Sequence, residues 1–101
     1  MVTIYGYSLE KRYTGGAVEF KTKAFDVEEK PKTYKTAGRF PFIGGESLKK
    51  EDIGALIGDG KNIIYLLEPN VDLAKSILRE KYEVEYQIAL KEYNDRIEAL
   101  K

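Results

Sequence analysis

The chain has 101 residues, 43% of them hydrophobic and 34% charged, with 17 basic and 17 acidic side chains and no Cys or His. That length and balance predict one folded domain, residues 1–101, with a modest core, not a disordered chain. The missing Cys and His exclude disulfides, thiol nucleophiles, Cys/His zinc sites and imidazole catalysis, and zero net charge excludes an overall basic field for nucleic acid.

Charge does not segregate along the chain: residues 1–60 hold 10 basic and 9 acidic side chains, and residues 61–101 hold 7 and 8. The opening MVTIYGYSLEKR has neither a basic start nor an apolar h-region, so no signal peptide is expected. No apolar run approaches the ~20 residues of a membrane span.

Residues 1–68 read as β-rich. TIYGYSL (3–9) and AVEFKTKAFDVE (17–28) have strand character, and Gly15-Gly16 between them suits a hairpin turn needing positive φ. Alternation slips near Ala24-Phe25, which predicts a bulge or a strand that restarts. Pro31 in EKPK withholds a ladder donor and marks a strand junction or edge. TYKTA (33–37) is a candidate third strand, and GRFPFIGGE (38–46) is a loop. SLKKEDIGALIG (47–58) predicts one short helix with Ser47 as N-cap and Gly58 beyond its end, although Lys49 and Lys50 oppose the dipole of its first turn. NIIYLL (62–67) is the most apolar segment and is expected to be a central strand. Glu68-Pro69 ends it, and Asn70 is placed to cap a helix beginning at Val71.

From Val71 to about Leu100 there is no Pro or Gly, which predicts a helix about 45 Å long at ~1.5 Å per residue. The remaining residues make a body only some 25–30 Å across, so the helix should overhang it. One apolar stripe runs its whole length: Val71, Ala74, Leu78, Tyr82, Tyr86, Ala89, Tyr93, Ile97, Leu100. Toward the end Tyr86, Leu90, Tyr93, Ile97 and Leu100 alternate steps of four and three, the spacing of a coiled-coil seam. A second stripe, Leu73, Ile77, Val84 and Ile88, stops early. The economical reading puts the second stripe on the sheet. It leaves Tyr82, Tyr86, Leu90, Tyr93, Ile97 and Leu100 for a second copy of the chain. The alternatives are that strands wrap both stripes, or that the long stripe holds a different partner. Glu92 and Arg96 are spaced for an ion pair on the solvated side.

Chemistry-bearing motifs are sparse. GALIGDGKN (54–62) has the wrong spacing for a phosphate loop, and Asn62 stands where a hydroxyl is needed, so it reads as a turn. Glu28-Glu29 and Glu51-Asp52 are adjacent carboxylates, which on a strand point to opposite faces and read as solvated surface. Ser8, Ser47 and Ser76 have no neighbouring base. Lys21, Lys23, Lys30, Lys32, Lys35 and Arg39, interleaved with Phe20, Phe25 and Tyr34, could form a strand face for single-stranded nucleic acid, diluted by Glu19, Asp26, Glu28 and Glu29. Arg39-Phe40-Pro41-Phe42-Ile43 is either a core plug or a partner contact made by Arg39, Phe40 and Phe42.

DVEEKPKTYK (26–35), KKEDIGAL (49–56) and YLLEPNVDLAKSIL (65–78) together resemble small proteins encoded by prophages and mobile elements of Firmicutes. The resemblance covers residues 25–101 and carries no assigned activity, so no residue inherits a role. It implies a cytoplasmic bacterial setting and an accessory task performed by binding a host or phage protein.

The expected fold is α+β: a small antiparallel sheet of three to four strands, one short helix, and a long C-terminal helix (71–100) packed on the sheet and extending beyond it. The expected function is that of a non-catalytic interaction protein, a homodimer through the C-terminal helix, with no catalytic residues, cofactor, metal or membrane association. The runner-up is nucleic-acid binding through the Lys/aromatic face. An enzyme with an unrecognised carboxylate or Lys site comes third.

Overall fold

The computed structural model describes residues 1–11 and 16–101. Strands β1 (Val2–Lys11) and β2 (Val18–Glu29) pair antiparallel, from Val2 opposite Val27 to Lys11 opposite Val18. Gly15 of the expected turn lies outside the described residues; Gly16 takes φ +67°.

The register is unbroken, so the predicted bulge near Ala24 is absent. The slip in alternation has another cause. Phe25 and Val27 pair with Ile4 and Val2 and point to one face of the sheet, whereas Phe20, with Tyr7, points to the other. One long strand thus serves two cores, and its apolar positions change parity midway.

A tight turn through Pro31, in which Lys30 N–H donates to Thr33 O at 2.8 Å, leads into β3 (Thr33–Lys35). Next come β4 (Ser47–Lys49) and β5 (Ile63–Leu66). The sheet order is β4-β3-β2-β1-β5, antiparallel at every pairing, so the described residues form five strands where three to four were expected. The fifth comes from residues read as a short helix. Ser47 is not an N-cap but the first residue of β4, whose Leu48 pairs with Tyr34 and is buried. Only a single 3-10 turn, Lys50–Asp52, succeeds it. Gly54 (φ +82°) and Gly58 (φ +92°) then take left-handed backbone, which stops a helix from propagating.

β5 is buried at all four residues yet, among the described strands, pairs only with β1, at the sheet edge and not its centre. Residues 54–57 cover its free side. Gly54 N–H donates to Tyr65 O at 2.9 Å, and Ile57 bridges Ile63 in both directions. An edge closed by its own chain needs no neighbouring strand to be continuously apolar.

The two faces carry separate cores. One holds Ile4, Val27, Tyr34, Phe40, Leu48, Ile63 and Tyr65, roofed by the loop after β3. The other holds Tyr7, Ile64, Leu66 and Ala74, beneath the helix α1 (Val71–Ala99). Gly6 sits in the middle of β1 because the first core presses on it. A Cβ there would lie 2.7 Å from Tyr65 Cε1 and 3.3 Å from Phe42 Cε2. Gly6→Ala is expected to destabilise the protein by about 1–3 kcal/mol through overpacking. A urea titration checks this; an unchanged midpoint would mean that the two rings move aside freely.

Candidate functional site

Asn70 starts α1 as expected: its side-chain oxygen accepts from Leu73 N–H at 3.0 Å, and its own N–H donates to Tyr7 Oη at 3.0 Å. These bonds fix the angle at which the helix leaves the sheet. Ala74 and Leu78 are buried against the sheet, and Ile77 is half-buried beside them. Lys81 is the last tether, its ammonium donating to Gly60 O and lying 3.4 Å from Glu85.

This arrangement corrects the expected assignment of faces. The long stripe supplies the sheet contact in its first two turns, through Ala74 and Leu78. Of the second stripe Ile77 packs, while Leu73, Val84 and Ile88 are exposed. The reason is steric: the small Ala74 lets the helix backbone approach the sheet, which a row of larger side chains would hold off.

Every residue from Tyr82 onward is exposed, and α1 runs on to Ala99. The overhang dominates the shape. The molecule measures 61 × 31 × 24 Å with a radius of gyration of 17.0 Å, against about 13 Å for a compact chain of this length. Along the overhang, Tyr82, Tyr86, Leu90, Tyr93, Ile97 and Leu100 form one continuous stripe, each between 37% and 82% exposed. At ~100° per residue the stripe lies roughly 120° around the axis from the sheet-contact direction. Pairs at (i, i+4) support the helix locally: Lys91–Asp95 at 3.2 Å and Gln87 to Glu83 at 3.2 Å. The expected Glu92–Arg96 pair is not formed among the described residues, which leaves Arg96 unpaired beside the stripe.

The other candidate residues are not brought together. Phe40 is 1% exposed, so it is the core plug and not a contact residue; Arg39 is exposed, and Phe42 is half-buried over Gly6. Phe25 and Tyr34 face the same core, which removes two of the three aromatics from the expected stacking face. The third, Phe20, stacks with Tyr7 and carries Lys75 at 5.2 Å from its ring centroid. Lys21 pairs with Glu10 at 3.0 Å, and Lys30 with Glu28 at 2.8 Å. That hydrogen bond and the charge of Lys30 hold the Glu28 carboxyl below its usual pKa. Residues 57–63 form a turn, with Gly58 and Lys61 at positive φ. Among the described residues no group of three or more His, Cys, Asp or Glu is placed to hold a metal, and no helix is long and apolar enough to cross a membrane.

Sequence reasoning missed one feature. A groove of about 350 Å³ runs between α1 and the β1–β2 pair, lined by Leu9, Phe20, Lys75, Leu78, Arg79 and Tyr82. Its residues are scattered along the chain and meet only when the helix docks. Comparison with family models, with curated proteins and with solved structures gives no match for this chain.

Proposed function

We propose that this is a non-catalytic interaction protein that self-associates through the distal half of α1. The observation that carries this reading is the overhang itself: about five helical turns beyond the last sheet contact, with one apolar stripe facing water. Most helical stability in proteins comes from packing an apolar face, and along the overhang that face is exposed. A stripe this long is also the kind of patch that monomers tend not to expose.

Magnitudes support pairing. The exposed fractions of the six stripe residues add up to about three whole large side chains. At about 1.5–3 kcal/mol each, covering them contributes roughly 5–9 kcal/mol per copy, and twice that in a symmetric pair. Association costs about 4–15 kcal/mol. At the midpoints of the two ranges, about 14 and about 10 kcal/mol, the gain exceeds the cost by a few kcal/mol, which fits a dimer that dissociates on dilution. The resemblance to prophage and mobile-element proteins supports an accessory role in a bacterial cytoplasm, in which the dimer binds a host or phage protein.

Sedimentation velocity of the wild type and of Tyr93→Glu plus Ile97→Glu tests the proposal. Both side chains lie far from either core, so the variant keeps its sheet. The wild type is expected to sediment at twice the 11.5 kDa chain mass and the variant at the chain mass. Identical monomers would refute self-association.

A further inference from the structure

The stripe does not stop at the edge of the body. Tyr82, its first residue, also lines the groove between α1 and the β1–β2 pair, so the exposed seam runs directly into that groove. We infer that two copies pair antiparallel along the seam, and that Leu100 of each copy reaches the mouth of the other's groove. This rests on the self-association reading and adds orientation, register and the site where each helix end is received.

Charge along the flanks selects the orientation. Leu90 and Ile97 occupy one core position of the heptad, and Tyr86, Tyr93 and Leu100 the other. In an antiparallel pair each flank faces the same flank of the second copy. With Leu90 layered on Tyr93 and Tyr86 on Ile97, Glu80 faces Lys101 and Gln87 faces Asn94. On the other flank Arg96 lies over Ala89, between Glu85 and Glu92 of the second copy. Arg96 has no ion pair within its own chain among the described residues, and this arrangement supplies it with one. In a parallel pair the opposite flanks meet, and Arg96 confronts Lys101, a repulsion between like charges.

The core layers agree. Antiparallel pairing sets a tyrosine against an aliphatic residue in each central layer, and each hydroxyl can reach the rim. Parallel pairing stacks Tyr86 on Tyr86 and Tyr93 on Tyr93 at the axis, where two phenol groups need partners within the seam.

Length favours the same orientation. The stripe from Tyr82 to Leu100 is about 27 Å long at ~1.5 Å per residue. Two such stripes laid head to tail fill the space between the two bodies. Leu100, 82% exposed within one chain, then arrives beside Tyr82 and Glu83 of the second copy. The groove there offers Leu9, Phe20 and Leu78. A parallel pair leaves both grooves open and sets Leu100 against Leu100 of the second copy, away from either groove.

The chain contains no cysteine, so introduced thiols report without background. Glu83→Cys and Leu100→Cys proteins, each at an exposed position, are mixed in a glutathione redox buffer and run on a non-reducing gel. A covalent dimer is expected from the mixture and not from either variant alone, because like positions stand about 25 Å apart in the antiparallel pair. A Leu100→Cys disulfide formed alone would show parallel pairing, overturning the orientation while leaving self-association intact. A wild type that sediments as a dimer while the mixture gives no disulfide would overturn the register. A wild type that sediments as a monomer would overturn both readings.

Discussion

Phe40→Ala is expected to lower the free energy of unfolding by about 3–5 kcal/mol, the range for truncating a buried aromatic. Phe40 is 1% exposed and stands edge-on to Phe25, at 5.2 Å and 89°. It meets Tyr65 in the same way, at 5.8 Å and 79°. Such pairs add about 0.5–1.5 kcal/mol each beyond area burial. The loop that carries it, residues 36–46, contains no strand. It is closed by Phe40 N–H donating to Gly45 O at 2.8 Å and Gly44 N–H donating to Phe40 O at 2.9 Å. Phe42 adopts φ +76° within it. A non-glycine residue there costs about 1–3 kcal/mol of backbone strain, which the buried ring must offset. Removing the ring leaves that strain without compensation, so the loop should loosen together with the core. Arg39→Ala, at the exposed neighbour, is the control and should stay within about 0.5 kcal/mol. Urea denaturation of the two variants compares them directly; equal midpoints would show that Phe40 does not anchor the loop.

The second large effect is expected in alkali. Tyr65 is fully buried, and its hydroxyl donates to Pro41 O. Desolvation pushes its pKa up to about 12, against a smaller lowering by the Ile43 backbone. The folded state therefore favours the neutral phenol. The associated stability is fully present below the unfolded value near 10 and is lost as pH rises through about 12. Two pH units correspond to roughly 2–3 kcal/mol. Wild-type protein should lose about that much more stability than Tyr65→Phe between about pH 9 and about pH 12. Chemical denaturation at both pH values measures the difference. Parallel loss in the two proteins would show that Tyr65 does not carry the alkaline sensitivity. The same experiment tests the loop, since the Pro41 carbonyl that accepts from Tyr65 belongs to it.

The candidate surface is more legible in the sequence than the sheet. The seam from Tyr82 to Leu100 emerges from spacing alone, because nothing tertiary competes for those turns. The sheet assignments fail where a residue's role depends on a distant segment. Ser47–Lys49 becomes strand because Thr33–Lys35 offers a free edge and Leu48 finds a core. Ile63–Leu66 is continuously apolar without being central, because Gly54 and Ile57 close its outer side. The change of parity in β2 resembles a bulge only if a single strand is taken to face a single core.

Local chemistry alone determined that residues 71–99 are helical, that Asn70 caps them, that the helix overhangs its body, and that its distal stripe is apolar. Those properties rest on backbone freedom, one side-chain hydrogen bond and a repeat of about 3.5 residues, all written within a few turns of chain. Only the tertiary structure decided which turn of the stripe docks, that Phe40 turns inward, and that a groove opens where the seam begins. Those outcomes depend on long-range packing. Ala74 fits the sheet because Tyr7, Ile64 and Leu66 meet beneath it, and no short window of sequence brings those four residues together.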